Sequence, residues 1–264
     1  MLDLKQLTTD VCQIATEVGH FLKEERKNFR RERVEEKHAH DYVSYVDKES
    51  EVRVVKALAA LLPEAGFITE EGSATYQDEP YCWVIDPLDG TTNYIHDEAP
   101  YCVCIALRNR TELLLGVVYE VCRDECFYAW KGGKAFMNGE EIHVSSVEDI
   151  QDAFVITELP YNHLQYKQTA LHLIDQLYGV VGGIRMNGSA AAAICYVAIG
   201  RFDAWMEAFL GKWDYSAAAL IVQEAGGKVT NFYGEDHFIE GHHILATNGN
   251  LHPFFQKLLA EVPP

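Results

Sequence analysis

Apolar residues at Leu4, Leu7, Val11, Ile14, Ala15, Val18, Phe21 and Leu22 recur at helical spacing and predict an amphipathic helix over about residues 3–25. The pattern then gives way to a charged stretch over residues 23–37, with Arg30, Arg31 and Arg33, which reads as a solvated helix end and loop. A second helix is predicted over about 48–62, with Asp47 as its N-cap and Pro63 as its stop. From there the period changes. Short apolar runs at 67–69, 83–85, 102–107, 113–119 and 126–130 read as strands, and Asn138-Gly139 is a strong hairpin turn. The first half is therefore two helices followed by a largely antiparallel sheet. In the second half strands alternate with helices: strands near 154–156, 184–186, 202–206, from 229 and at 243–246, helices near 169–178, 189–199, 214–225 and 251–259. Alternation of this kind implies an α/β layer. The expected architecture is one compact domain with an α+β lobe over about 1–148 and an α/β lobe over about 149–264.

Composition narrows the function. A chain of 264 residues, 48% apolar and 23% charged, can bury a sizeable core and is of enzyme size. Its net charge of −18 argues against non-specific binding to nucleic acid or to an anionic membrane. An anionic substrate stays open, provided that bound cations invert the local potential. The N-terminus shows no basic stretch followed by an apolar core, and no run approaches the roughly 18 apolar residues of a membrane span. The cysteines (Cys12, Cys82, Cys102, Cys104, Cys122, Cys126 and Cys195) are odd in number, lie mostly in apolar runs and form no Cys-x-x-Cys pair. Free thiols in a reducing cytoplasm are expected.

The chemistry concentrates in Trp83-Val84-Ile85-Asp86-Pro87-Leu88-Asp89-Gly90-Thr91-Thr92-Asn93. An apolar strand ends at Asp86 and Pro87, and Thr91, Thr92 and Asn93 offer side-chain oxygens to the first turn of a helix. Two carboxylates three residues apart thus precede a helix start, with Pro87 restricting the backbone between them. Divalent cations take oxygen ligands of this kind, with the Leu88 carbonyl as a third, and the N–H groups of Gly90 and Thr91 would face a phosphate. Asp-Pro and Asp-Gly are also ordinary turn dipeptides, so this stretch alone does not decide. Glu70-Glu71 follows another short apolar strand, and Asp214 opens an Ala-rich helix. Together these carboxylates match the requirement of a multi-metal site, because so many could not converge in one cleft without cations: their repulsion would protonate some of them.

At this level the chain resembles the inositol monophosphatase family of metal-dependent, lithium-sensitive phosphatases, which share a layered αβαβα sandwich with fructose bisphosphatase. Asp86 to Asn93 matches the first signature, and Trp213-Asp214 through Gly226-Gly227 the second. Glu70-Glu71-Gly72 matches the acidic pair, and Lys37, Asp41, Val43, Ser44 and Asp47 echo the upstream Lys/Asp/Thr region. The resemblance implies two or three Mg²⁺ ions, with Mn²⁺ as an alternative and Li⁺ as an inhibitor. Glu70, Asp86 and the Leu88 carbonyl would hold the first ion, and Asp86, Asp89 and Asp214 the second. Thr91, bonded to Asp47, would with Glu70 orient and deprotonate the attacking water. Asp89, Gly90, Thr91, Thr92, Ser189, Ala190 and Glu207 would contact substrate, while Glu71 and Lys37 orient their neighbours. The implied activity is hydrolysis of inositol monophosphate and related small polyol or sugar phosphates, by a homodimer that binds neither nucleic acid nor membrane. The alternatives are a phosphatase for fructose 1,6-bisphosphate, NADP(H) or 3′-phosphoadenosine 5′-phosphate, or a second regulatory role through protein–protein contacts. The chain is short for a dedicated fructose bisphosphatase, and Thr92 stands where the adenosine-bisphosphate branch usually has Lys. Two departures stand out: Pro160-Tyr161-Asn162 occupies a substrate-facing loop where animal enzymes tend to carry Gly and Ser, and His38 and His40, unusual there, read as surface residues. Phe154, Tyr161 and Tyr166 are candidates for either a dimer interface or the core.

Overall fold

The computed structural model describes residues 2–30, 32, 34–38, 41–159, 164–236 and 238–260. The side chains of Lys37, His38 and Asp41, and the whole of His40, Pro160, Tyr161 and Asn162, lie outside what it describes, as do Arg31 and Arg33.

Helix α1 (Leu4–Arg26) starts at Asp3, whose carboxylate accepts the Gln6 N–H, and it buries Leu7, Val11, Ala15, Val18 and Leu22 along one stripe. The charged stretch after it is not wholly a loop. Strand β1 (Val34–His38) pairs antiparallel with β2 (Asp41–Ser44), because alternating residues there can form a two-stranded ribbon despite their polarity. Helix α2 (Tyr45–Leu61) begins three residues earlier than the pattern suggests. Its N-cap is Ser44, and Asp47 sits at the third helical position, returning its carboxylate to the Ser44 N–H in a capping box.

The first sheet has seven strands in the order β3-β4-β5-β6-β7-β8-β9, built from β3 (Ala65–Thr69), β4 (Tyr81–Asp89), β5 (Cys102–Arg108), β6 (Leu113–Glu120), β7 (Glu125–Trp130), β8 (Ala135–Met137) and β9 (Glu140–Ile142). Only β3 and β4 are parallel; every later pair is antiparallel, and β8 turns into β9 through Asn138-Gly139 as the dipeptide predicts. The second sheet runs β11-β10-β12-β14-β13, from β10 (Phe154–Thr157), β11 (Gly183–Arg185), β12 (Ala204–Ala208), β13 (Lys228–Thr230) and β14 (His243–Thr247). In it β10 is parallel to both of its neighbours.

Four helices complete the stack: α4 (Lys167–Leu177), α5 (Ala190–Ala198), α6 (Lys212–Glu224) and α7 (His252–Ala260), while the short α3 (Thr91–His96) caps the end of β4. Trp83, Ile85, Val103 and Val117 point from the first sheet to α1 and α2. Val84, Cys104 and Phe127 point the other way and meet α5 and α6, which the second sheet covers through Ile156, Trp205 and Ala246. The far face of that sheet, with Val155 and Met206, packs on Leu173, Leu177, Phe255 and Leu258 of α4 and α7. The result is five layers, αβαβα, with a helix pair held between two sheets. Gly116 on β6 makes that middle layer fit, since a Cβ there would lie 2.3 Å from the Ala217 carbonyl oxygen of α6. No helix among the described residues is long and apolar enough to cross a membrane.

Candidate active site

The site forms where β4 ends. Strand β4 does not stop at Asp86-Pro87 but runs to Asp89, and its pairing with β5 slips on the way: Asp86 faces Cys104 and Asp89 faces Cys102. Pro87 and Leu88 together oppose only Val103, a bulge that needs no N–H from the proline. The extra residue matters. Cys102 and Cys104 lie on the same side of β5, so the bulge puts Asp86 and Asp89 on one face, toward α5 and α6. Gly90 then turns the chain at φ 90°, where a Cβ would come within 2.9 Å of the Pro100 carbonyl oxygen.

The expected side-chain caps for α3 are absent. No side chain caps it. The Thr91 hydroxyl instead shares its proton between Asp47 Oδ1 at 2.9 Å and the Leu88 carbonyl at 3.0 Å, and the Asn93 amide donates to the carbonyls of Pro100 and Asn187. Helix α2 thus supplies a buried carboxylate, Asp47, to a threonine 44 positions away. Burial pushes the Asp47 carboxyl upward, and bonds from Ser44 and Thr91 pull it back.

Glu70 follows the parallel pair Thr69–Ile85, which sets it beside Asp86. Asp86 is almost wholly buried, and its carboxyl is lifted well above the usual range, first by desolvation and then by the charges of Glu70, Asp89 and Asp214. Asp89 is raised to about 6 by burial, against bonds from Ser189 and from the N–H groups of Ala190 and Ala191. Asp214, at the third position of α6, accepts the Gly211 N–H at 2.7 Å.

Among the described residues, no three His, Cys, Asp or Glu side chains are arranged to hold a metal ion as they stand. Asp89 accepts the Ala190 and Ala191 N–H groups at the start of α5, and Asp214 accepts the Gly211 N–H at the start of α6. In chemistry the donors fit a hard divalent cation: carboxylates and one carbonyl, converging on a buried carboxyl whose anion they disfavour.

A cleft of about 230 Å³ opens beside these groups, lined by Asp89, Glu158, Ser189, Glu207, Phe209 and Asp214 among others. Of the expected substrate contacts, Ser189 and Ala190 line it but spend a hydroxyl and an N–H on Asp89, and Glu207 projects into it from within β12. Thr92 is exposed.

Two acidic residues escaped the sequence reading. Glu51, fully buried on α2, accepts the N–H groups of Glu71 and Ser73 at 2.7 and 2.8 Å and so holds the loop that carries the acidic pair. Its spacing of four from Asp47 was a legible sign that both acids share a helix face. Glu158 follows β10, accepts the N–H groups of Asn187 and Gly188, and is lifted to about 7 by burial. An acid at the carboxyl end of an apolar strand was the same signal that marked Glu70 and Asp86.

The family model described as the inositol monophosphatase family matches residues 3–263. The Nus factor SuhB of Pseudomonas aeruginosa is 39% identical over 236 residues, covering 88% of this chain and 86% of its own. An inositol monophosphatase of Dictyostelium discoideum is 34% identical over 270 residues, 99% of this chain and 98% of its own. Among solved structures, the inositol monophosphatase from Anabaena superposes with a TM-score of 0.89 at 31% identity, over 100% of this chain and 98% of that one. Signature, five-layer fold and whole-length likeness agree, and the chain belongs to the inositol monophosphatase family, a family of phosphatases.

Proposed function

We propose that the protein is a Mg²⁺-dependent phosphomonoesterase acting on inositol monophosphate and related small polyol and sugar phosphates. The observation that carries this reading is Asp86, a buried carboxyl facing three further acids. Burying such a group against like charges has a heavy cost that a cation offsets, and strongly perturbed groups in a cleft mark working sites. Glu70, Asp86, Asp89 and Asp214, with the Leu88 carbonyl, would hold the cations, which supply charge neutralisation and polarisation of the phosphoryl group when bound. The Thr91 hydroxyl, fixed by Asp47, would orient the attacking water, and Glu70 would take its proton, since a threonine is a poor base by itself. The N–H groups of Gly90 and Thr91 would cradle the phosphate. Glu207 would accept hydroxyls of the leaving alcohol, and Glu71, on the loop held by Glu51, would orient the ligands around it.

A panel of phosphate esters assayed with Mg²⁺ and with a chelator tests this. Release of phosphate from inositol monophosphate, lost with the chelator, is the expected result. Absence of turnover on every ester would overturn it. A second reading, a regulatory role beside catalysis, draws on the relatives that are Nus factors. Capture of RNA polymerase by the catalytically dead Asp86→Asn variant would separate that role from turnover.

A further inference from the structure

Away from the cleft, two sulfurs meet where α1 lies on the first sheet. Thr8, Cys12, Ala15 and Gly19 follow one another along α1 at spacings of four, three and four, so they share one helix face. Thr8, Ala15 and Gly19 are buried on that face. It rests directly on the sheet, since a Cβ at Gly19 would overlap the Tyr119 ring of β6, and α1 packs on β6 and β7 alike. Tyr119 stands opposite Cys126 in the β6–β7 ladder, and directly opposed residues project from the same side of a sheet. Cys126 therefore faces α1. Both cysteines pack against the core that α1 shares with this sheet, and the Cys12 thiol is in hydrogen-bond contact with Cys126.

Access sets this pair apart from the other thiols. Cys82, Cys102, Cys104 and Cys195 are buried, and Cys122 is exposed. Cys12 and Cys126 are both half-buried, within reach of a small solute, and each stands on fixed backbone. The Cys126 N–H donates to Asn138 Oδ1 at 2.8 Å, and the Cys12 carbonyl accepts the Thr16 hydroxyl at 2.8 Å within α1. The contact with Cys126, and then burial, push the Cys12 thiol up from its ordinary value. Cys12 is thus the member that keeps its proton, and Cys126 the one that attacks first.

We infer that Cys12 and Cys126 form a dithiol modification site, which a hydroperoxide oxidises to an intrachain disulfide that staples α1 to β7. The Cys126 sulfur attacks one peroxide oxygen and the O–O bond breaks. Cys126 becomes a sulfenic acid, and the departing oxygen takes the Cys126 proton and leaves as an alcohol, or as water from hydrogen peroxide. The Cys12 sulfur then attacks that of Cys126. The S–S bond forms, the S–O bond breaks, and water leaves with the Cys12 proton. Two thiols are oxidised, and the two electrons reduce the O–O bond. The loop so closed contains Asp47, Glu70, Asp86 and Asp89, and cross-linking a long loop favours the folded state by restricting the unfolded chain. The pair lies on the α1 side of the sheet, whereas Asp86 and Asp89 face α5 and α6, so the staple leaves the cation ligands untouched.

The test treats the full chain with a small excess of hydrogen peroxide, then follows peptide mass spectrometry without reduction and thermal unfolding. The expected product is one linked peptide pair, Cys12 to Cys126, lighter by two hydrogens than the separate peptides. The unfolding midpoint should rise by about 5–10 °C and return on adding dithiothreitol. Cys12→Ser should stop at the Cys126 sulfenic acid, trapped by dimedone, and show no rise. Cys126→Ser should lose both the link and the trapped acid, while Cys122→Ser, at an exposed position, should behave as wild type. Cys12 and Cys126 that both still alkylate after peroxide treatment overturn the site, as does a bond from either of them to Cys122. A Cys12–Cys126 bond that leaves the unfolding midpoint where it was overturns the staple.

Discussion

Two buried carboxylates sit on the same seven-stranded sheet and have opposite surroundings. Glu120, at the end of β6, is fully buried, yet the Cys122 and Arg123 N–H groups donate to it at 3.1 and 2.7 Å and close the turn into β7. Burial lifts its carboxyl, and these donors oppose the lift. Asp86, near the end of β4, has one donor among the described residues, the Leu88 N–H at 2.9 Å, and three further acids acting against it. Burial is common to both. What differs is whether backbone dipoles or like charges meet the buried group: the first arrangement is a structural turn, the second marks a candidate binding site.

The comparison breaks most sharply by neutralising each acid. Asp86→Asn should lower turnover by at least roughly a hundredfold, more than the loss of an outer partner of a ligand. Its thermal stability without metal should equal or exceed wild type, since a repelled charge is gone. Glu120→Gln should do the reverse, keeping turnover and losing about 1–3 kcal/mol, because an amide replaces one acceptor of two buried N–H groups with a misplaced donor. Retention of more than a few per cent of activity in Asp86→Asn would break the assignment.

The pH dependence of stability sharpens it next. Asp89 and Glu158, raised to about 6 and about 7, have folded values above their ordinary ones. A raised group contributes stability that is full below its unfolded value and lost as pH rises through its folded value. Chelator-treated protein should therefore lose stability between about pH 4 and pH 7, on the order of 3 kcal/mol for each of the two groups. Mg²⁺, which binds the charged carboxylates, should flatten that fall. Denaturant unfolding across this range, with and without Mg²⁺, measures both slopes, and a stability that climbs with pH in the chelated protein would contradict the account.

The smallest effect expected is at Glu51, a satisfied acid that serves the site from a distance. Glu51→Gln should slow turnover by about tenfold through the Glu71 loop, as partners of ligands do when mutated. Its Mg²⁺ requirement should also rise, whereas a purely structural role would change unfolding and leave the Mg²⁺ titration alone.

The parts of this molecule that local physics controls were legible. Helix α1 announces itself by period, the β8–β9 turn by Asn-Gly, and the order of elements by the switch from two-residue to helical spacing. Glu70, Asp86, Asp89 and Asp214 were legible as candidates because each stands near a strand end or a helix start. Misreadings fell where a neighbour overrides local preference. Asp47 reads as an N-cap by composition, but Ser44 takes that place once β2 pairs with β1 and fixes where α2 begins. Thr91 reads as a helix cap, but its hydroxyl finds stronger acceptors in Asp47 and the Leu88 carbonyl.

The sequence by itself determined which residues carry charge, where strands end and that a cation-dependent chemistry suits them, because those follow from residue type and spacing of a few positions. Only the tertiary structure decided which acids share a face. The bulge opposite Val103 turned Asp86 and Asp89 the same way, and parallel register set Glu158 against Glu207 across 49 residues of chain. Register is a property of two strands at once, and a slip of one residue reverses every side chain on the strand.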